Sequence, residues 1–320
     1  MDNAPHATAA AQAIRAELAK VIVGQDEALD QIVVALIAGG HVLLEGPPGT
    51  AKTLLVRSLA LAVQGSFRRV QFTPDLMPSD IVGVNVFRPE QSRFEFRPGP
   101  LFCDLLLADE INRAPAKTQS ALLEAMQERQ ASVDGELHSL GPFFTVFATQ
   151  NPIEYEGTYP LPEAQLDRFM FKTVVGYPEE QQEREILRRY EGGFDAGQTA
   201  TFPVAPITSI AEVQAVRQAV RGTRLVEDVL GYITSIVRGT RGFHLLTLGA
   251  SPRASVMLAQ AAKGLAVLRG SPFVTPDDVR DMVRPVLRHR VVLTPEAEIE
   301  GTTADHCLEQ VIARVAVPRL

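Results

Sequence analysis

The stretch LEGPPGTAKT, residues 44–53, carries the residue types of a phosphate-binding loop between an apolar run and a helical pattern. Gly46 and Gly49 let the backbone curl so that several N–H groups and a helix N-terminus can face one anion. Lys52 would then reach the β- and γ-phosphates of a nucleotide, and the Thr53 hydroxyl would hold Mg²⁺. The alternative is a Gly-Pro turn that contains an incidental lysine.

Ala51 departs from the general pattern G-x-x-x-x-G-K-[ST], which has glycine before the lysine. The alanine should cost little free energy if residue 51 has helical φ and ψ, because its methyl group can then point away from the phosphates. We therefore expect a nucleotide site with a tolerated substitution.

The run LLLADE ends in two adjacent carboxylates, Asp109 and Glu110. Burying a carboxylate at the end of a strand costs free energy unless a cation compensates its charge. Asp109 is therefore predicted to coordinate Mg²⁺ through water, and Glu110 to polarise the attacking water. A solvated strand exit is the alternative, and the phosphate loop upstream argues against it.

Three further polar positions follow. Asn151, after the run FFTVFATQ, could position water or sense a γ-phosphate, although Asn-Pro is also an ordinary turn opener. Arg168 lies just before the last strand-like run, where surface pairing with Asp167 is an open alternative to a role in a site. Arg253 falls in the first turn of a predicted helix, where a cation opposes the helix dipole, and this favours an anionic partner.

Five apolar runs must position these residues, and each is predicted to be a strand: 41–45, 67–73, 103–110, 143–150 and 169–175. Runs such as LLLA and VFA lack polar alternation, which suits strands buried on both faces of a parallel sheet. Helical periodicity lies between them. The alternation predicts an α/β fold with a mostly parallel, five-stranded sheet.

Two segments interrupt this alternation. Residues 79–102 contain the β-like runs VGVNVF and RFEF around a turn, and residues 131–140 contain a D-G turn at Asp134 and Gly135. Both segments are predicted to be β-hairpins inserted between elements of the sheet.

Strand signals fade after Tyr177. Helices are predicted to start near Pro178, Thr208, Glu227, Ser251 and Thr275, the last two as N-cap residues followed by proline, and 193–206 is predicted to be a linker or loop. The chain is therefore predicted to have an α/β domain, residues 1–177, and a smaller all-helical domain, residues 178–320.

Composition narrows the class of protein. The 320 residues are 46% hydrophobic and 22% charged, with a net charge of −7, which argues against a protein built mainly to neutralise nucleic-acid phosphates. Cys103 and Cys307 are predicted to be buried small hydrophobes rather than redox groups. The N-terminus lacks the pattern of a secretory signal, and no apolar stretch reaches the ~18 residues that span a bilayer, so we expect a cytoplasmic protein.

Taken in order, GPPGTAKT, LLLADEINRAP, VFATQNP, LPEAQLDRF and GASPRA resemble the AAA+ ATPases, and within them most closely the MoxR family. The loop with alanine in its sixth place is itself similar to the MoxR form, and the resemblance runs from about residue 15 to the end. It implies a P-loop NTPase fold with an all-α lid.

The resemblance also implies residue roles. The Walker A loop would be Gly46, Pro47, Pro48, Gly49, Thr50, Ala51, Lys52 and Thr53, with Val23, Gly24 and Gln25 near adenine. Asp109 and Glu110 would form Walker B and Asn151 sensor 1, while Arg168 would be an arginine finger that acts on the nucleotide of a neighbouring subunit. Arg253 would be sensor 2 in the lid, and Arg113 a second interface arginine.

The function implied by the resemblance is hydrolysis of ATP with Mg²⁺, in a homo-oligomeric ring of six copies. Hydrolysis would drive chaperone-like remodelling, maturation, or metal or cofactor insertion of a partner protein, commonly one with a von Willebrand factor A domain. The two hairpins would face a central pore, and lid movement hinged near residues 176–208 would convert nucleotide state into force.

Two other functions remain possible from the sequence. A nucleic-acid motor or loader would need basic hairpins, but Arg88, Arg93, Arg97 and Arg129 are balanced by Glu90, Glu95, Asp134 and Glu136. A non-hydrolysing nucleotide switch is disfavoured because Asp109 and Glu110 are both present.

Overall fold

The structure is a computed structural model that describes residues 4–151 and 158–319. The strands in this part of the chain are β1 (Val42–Glu45), β2 (Phe67–Gln71), β3 (Gly83–Arg88), β4 (Arg93–Pro98), β5 (Leu105–Asp109), β6 (Gln130–Val133), β7 (Glu136–Ser139), β8 (Thr145–Gln150), β9 (Phe171–Val174), β10 (Leu246–Leu248) and β11 (Val292–Leu293). The helices are α1 (Ala4–Ala19), α2 (Asp26–Ala38), α3 (Lys52–Ala62), α4 (Pro78–Val82), α5 (Ala116–Glu128), α6 (Glu163–Leu166), α7 (Glu180–Glu191), α8 (Ile210–Gly222), α9 (Glu227–Arg241), α10 (Pro252–Arg269), α11 (Pro276–Leu287), α12 (Pro295–Ile299) and α13 (Ala304–Arg314).

The central sheet confirms the predicted α/β fold. Its five strands are parallel in the order β2-β5-β8-β1-β9. All five residues of β5 and the first five of β8 are buried, as expected for inner strands covered on both faces. The edge strand β2 is mostly exposed, because only Val70 of its residues is buried.

Parallel strands give the sheet two chemically distinct edges. The strand ends Glu45, Gln71, Asp109 and Gln150 lie together at what we call the carboxyl edge. The opposite, amino edge holds the residues that precede the strands, among them His41 and Met170. The four residues of β9 alone separate the two edges by roughly 13 Å.

The two predicted hairpins are confirmed as β3–β4 and β6–β7. Asp134 and Gly135 both have positive φ, 51° and 87°, which is the conformation that a two-residue hairpin turn requires. The hairpins contact each other through Phe96 and His138, whose rings stack 3.8 Å apart. Asn85 also donates a hydrogen bond to Asp134 over 2.9 Å.

The second part of the chain is helical, as predicted, with one addition. Leu246–Leu248 and Val292–Leu293 pair as a short antiparallel ladder, β10–β11. Runs of two and three residues are too short to show a periodicity, so the sequence did not predict this ladder. Thr275 caps α11 by accepting a hydrogen bond from the backbone N–H of Asp278.

The core continues across the predicted domain boundary. Helices α1 and α2 pack against α8 and α10, and their buried side chains belong to one hydrophobic cluster. The division at residue 177 therefore stays a prediction. Within residues 4–151 and 158–319, no helix is both long and apolar enough to cross a membrane.

Candidate nucleotide site

The loop between β1 and α3 has the geometry of an anion-binding turn. A side chain at Gly46 would place its Cβ 2.1 Å from the carbonyl oxygen of Val175, so the close approach of β1 to the end of β9 requires glycine. Gly49 has φ +80°, which bends the loop toward α3. Lys52 Nζ donates to the carbonyls of Gly46 (2.6 Å) and Pro47 (2.9 Å), so the loop holds its own lysine where phosphate oxygens can replace these acceptors.

The surroundings of Lys52 lower its pKa, because the effect of burial exceeds that of two nearby carboxylates. Burial lowers the pKa of Lys52, whereas the nearby carboxylates of Asp109 and Glu110 raise it. Lys52 thus shares one cleft with two carboxylates, which an incidental surface lysine would not do.

The helical φ and ψ under which Ala51 was expected to cost little free energy are not observed. Residue 51 has φ 60° and ψ 17°, the left-handed region rather than the right-handed helix. Alanine in this region costs on the order of 1–2 kcal/mol because its Cβ crowds the following carbonyl. The positive φ directs the chain into α3, which begins at Lys52, and this explains why the general pattern has glycine at this place.

Both oxygens of the Asp109 carboxylate have partners. Arg69 on β2 donates from Nε (3.0 Å) and Nη2 (2.7 Å) to Oδ2. Thr149 on β8 donates from Oγ1 to Oδ1 over 2.5 Å. The side chain of Asp109 is only 13% exposed, so these partners compensate the burial of its charge.

Glu110, next to Asp109, is held in a left-handed backbone conformation. It has φ 55° and ψ 50°, and its backbone N–H donates to Thr149 Oγ1 over 2.8 Å. Its Oε2 accepts from Gln71 Nε2 (2.7 Å) and from Arg113 Nη1 (2.8 Å). Left-handed backbone at a non-glycine residue is costly and is concentrated at functional sites.

The predicted phosphate and carboxylate residues line one cleft of about 400 Å³, which we call the loop cleft. It is lined by residues 48–54, Arg57, Arg69, Asp109, Glu110, residues 149–151 and Ala196. The structure thus brings together Lys52, Thr53, Asp109, Glu110 and Asn151, which are far apart in the sequence.

An apolar cleft of about 260 Å³ adjoins the loop cleft and shares residues 49–51 with it. Val23 and Gln25, predicted to lie near adenine, line it together with Leu54, Ile186 and Phe194. Gly24 has φ +73° and turns the chain there, and Gln25 Nε2 donates to the carbonyl of Gly176 over 2.9 Å. An apolar cleft beside a phosphate loop suits a purine base.

The donor set fits Mg²⁺. No group of three or more His, Cys, Asp or Glu side chains among the described residues could hold a metal by itself. The Thr53 hydroxyl and the Asp109 carboxylate are hard oxygen donors in the loop cleft, and Mg²⁺ is commonly held by one or two such groups plus phosphates and water.

Arg168 and Arg253 lie elsewhere. Arg168 precedes β9 and donates from Nε to Gln127 at the end of α5 over 3.2 Å, which places it at the amino edge. Arg253 Nε lies 3.9 Å from Asp167 Oδ2 at the same edge. Neither arginine occurs among the described residues that line the two clefts.

A buried arginine, Arg290, holds Asp167 at the amino edge. Its guanidinium donates to Asp167 Oδ1 (2.6 Å) and to the carbonyls of Asp167, Phe169, Met170 and Val286. The side chain is 2% exposed, and burial lowers the pKa of Arg290 while Asp167 raises it. Asp167 therefore pairs with Arg290 and Arg253. Within the described part of the chain, Asp167 forms no ion pair with its neighbour Arg168, the pairing that the sequence left open.

Sequence reasoning missed Arg69, Gln71 and Arg290. The first two alternate on β2, and Gln71 lies beside Asp109 in register, so a period-two polar pattern at the end of an edge strand was the available signal. Arg290 lies in RPVLRHR, a basic run that carries no local sign of its distant partner Asp167.

Comparison with known proteins agrees with this geometry. A profile described as the ATPase family associated with various cellular activities (AAA) matches residues 41–171, and an AAA lid domain profile matches residues 240–311. A crystal structure of a protein from Cytophaga hutchinsonii, described as a candidate ATPase, is 37% identical and superposes with a TM-score of 0.90, covering 99% of this chain and 97% of that one.

Named relatives cover nearly the whole sequence. The chain is 43% identical to an uncharacterised protein of Bacillus subtilis, over 93% of this chain and 92% of that protein. It is 32% identical to Protein MoxR of Methylorubrum extorquens, over 91% and 90% of the two chains. It is 44% identical to Chaperone MoxR1 of Mycobacterium tuberculosis, over 95% of this chain and 81% of that one. With this extent of identity, and with the AAA and lid matches in the expected order, the chain belongs to the MoxR family of AAA+ ATPases.

Proposed function

We propose that this protein hydrolyses ATP with Mg²⁺ and uses the energy to remodel a partner protein. The observation that carries the proposal is the convergence of Lys52, Asp109, Glu110 and Asn151 on one cleft between the phosphate loop and the acidic strand end. Thr53 and Asp109 would hold Mg²⁺, and the ion would neutralise charge on the phosphates.

The chain's own groups then have separate tasks. The loop amides and Lys52 bind the phosphates and stabilise the charge that develops on them. Glu110 orients water and accepts its proton, and Asn151 orients that water or the terminal phosphate. The apolar cleft at Val23 and Gln25 excludes water from the base.

We infer that the amino edge acts on a second copy of the chain. Arg168 and Arg253 lie at the edge opposite the loop cleft, and neither is among the described residues that line the two clefts of its own subunit. Both are therefore assigned to the nucleotide of the neighbour in a homo-oligomeric ring. Heterologous contacts that close by rotation give such a ring, and the MoxR resemblance gives six copies as the expected size.

Mixing two inactive variants tests this arrangement. Glu110→Gln removes the base and Arg168→Ala removes the finger, so each pure protein should be nearly inactive. In an equal random mixture about a quarter of the interfaces join an intact Glu110 to an intact Arg168, and turnover should recover to about that fraction of wild type.

The matched control mixes Glu110→Gln with Lys52→Ala. Both changes fall in the same cleft, and a Lys52→Ala subunit that binds no nucleotide leaves no complete interface, so turnover should stay near zero. Recovery in the control, or none in the Glu110–Arg168 mixture, would contradict the assignment of Arg168 to the neighbouring site.

The client is proposed to be a protein, and a von Willebrand factor A domain protein is the expected partner. The relative named Chaperone MoxR1 supports a chaperone-like role, and maturation or metal or cofactor insertion are forms of it. Affinity purification on Glu110→Gln, which should hold ATP without releasing the client, tests the proposal. Recovery of DNA instead of protein, with ATPase stimulation that falls steeply as salt rises, would favour a nucleic-acid motor.

A further inference from the structure

Arg69 forms an ion pair with Asp109, the carboxylate that is expected to bind the metal. Two of its nitrogens, Nε and Nη2, lie 3.0 and 2.7 Å from Oδ2 of Asp109. Because Thr149 already donates to the other oxygen, the carboxylate has a partner on each side. A cation or its water shell that approaches Asp109 from the loop cleft would therefore contact the guanidinium of Arg69.

Arg69 is placed so that it can leave. Its side chain is 50% exposed and lines the loop cleft, whereas the Asp109 side chain is 13% exposed. The arginine lies on β2, which is an edge strand of the sheet that residues 4–151 and 158–319 form. A half-exposed arginine can therefore swing into solvent while the carboxylate stays fixed.

Arg69 is also connected to the second carboxylate. Its Nη2 donates to Gln71 Oε1 over 3.1 Å, and Gln71 Nε2 donates to Glu110 Oε2 over 2.7 Å. A movement of Arg69 away from Asp109 therefore removes one hydrogen bond from the amide that holds Glu110.

We infer that Arg69 is a displaceable counter-ion of Asp109, which neutralises this carboxylate while the metal is absent and leaves it when the metal binds. The inference rests on the proposed function, because it takes Asp109 as a metal ligand. Two cations on one carboxylate repel each other strongly at short distance, so Arg69 and the metal exclude each other there. Arg69 is thus a positioning residue that makes metal binding an exchange of cations and couples this exchange to Glu110 through Gln71.

The proposed exchange of cations predicts that Arg69→Gln changes nucleotide affinity differently with and without metal. In EDTA, Arg69→Gln leaves Asp109 uncompensated beside the nucleotide phosphates, so a fluorescent ADP analogue should bind about tenfold more weakly than to wild type. In saturating Mg²⁺ no arginine has to be displaced, so the same variant should bind the analogue as tightly as wild type or more tightly. The ratio of the Kd in EDTA to the Kd in Mg²⁺ should therefore rise about tenfold or more.

Arg68→Gln is the matched control. Arg68 precedes Arg69 on the same strand, carries the same charge and is exposed, and successive side chains of a strand point to opposite faces. Its removal should leave the ratio within about twofold of wild type. Arg69→Lys keeps a cation at the site and should restore most of the wild-type ratio. If Arg69→Gln does not fold, Arg69→Met, which keeps the aliphatic stem, provides the same measurement.

Three results with the variants would each overturn the inference. They are an equal loss of affinity with and without Mg²⁺, equal ratios for Arg68→Gln and Arg69→Gln, and an Arg69→Lys variant that behaves like Arg69→Gln. Absence of ADP binding by the wild type would overturn both this inference and the proposed function. An unchanged ratio with intact nucleotide binding would overturn only the role of Arg69.

Discussion

The two edges of the central sheet hold charged side chains in opposite ways. At the carboxyl edge, Lys52, Asp109 and Glu110 line an open cleft, and the half-exposed Arg69 and Arg113 pair with Asp109 and Glu110. Ala51 and Glu110 have left-handed backbones there. At the amino edge, Arg290 is buried and bonds mainly to backbone carbonyls. The contacts at the first edge can be replaced by a ligand, whereas those at the second fix a position.

The largest expected effect concerns the carboxyl edge. Glu110→Gln should lower ATP turnover about 1,000-fold, equivalent to about 4 kcal/mol, because an amide cannot accept a proton from water. Binding of a fluorescent ADP analogue should stay close to wild type, since Glu110 is not needed to hold phosphates. The exposed Glu124→Gln on α5 is the control and should turn over normally. Turnover within tenfold of wild type for Glu110→Gln would contradict its role as base.

Substitutions at the amino edge are expected to change the free energy of unfolding. Arg290→Met should lower the free energy of unfolding by about 3 kcal/mol, because it leaves Asp167 and several buried carbonyls without their donor. Urea unfolding gives this value. Arg253→Met removes the 45% exposed partner of the same carboxylate and should cost less than about 1 kcal/mol while it lowers turnover. Equal stability losses for the two variants would remove the distinction between the edges.

Acid should also weaken the amino edge. His41 is buried between Met126 and Val146, and burial lowers its pKa to about 4 from the usual value near 6.5. Because the unfolded chain takes up the proton first, the stabilising contribution is complete above pH 6.5 and is lost as pH falls toward 4. The stability difference between wild type and His41→Gln should shrink by about 2 kcal/mol from pH 7 to pH 5.

Urea unfolding at each pH gives the stability difference between wild type and His41→Gln. A difference that stays constant from pH 7 to pH 5 would show that burial does not lower the pKa of His41.

The smallest effect concerns the strained loop. Ala51→Gly should raise the free energy of unfolding by about 1 kcal/mol, since glycine adopts φ +60° without the crowding of a Cβ. Ala9→Gly, at an exposed right-handed position of α1, should lower it by about 1 kcal/mol. The same sign for both substitutions would show that the left-handed backbone at residue 51 stores no strain.

Much of the carboxyl edge could be predicted from sequence, because its residues follow apolar runs that form parallel strands. Asp109 and Asn151 each come directly after such a run, and parallel strands bring their carboxyl ends together. The conformation of Ala51 could not be predicted in this way, since the same letters are compatible with right- and left-handed φ.

The sequence by itself determined the parallel sheet, the two hairpins, the order of the phosphate loop and acidic strand end, and the family. Local patterns are sufficient for these, because periodicity and turn chemistry act between near neighbours in the chain. Only the tertiary structure decided that Arg168 and Arg253 lie across the sheet from the loop cleft, that Arg290 holds Asp167, and that Arg69 holds Asp109. Arg69 and Asp109 are 40 positions apart in the sequence, and Arg290 and Asp167 are 123 positions apart. A single sequence contains no periodic signal for contacts over such separations.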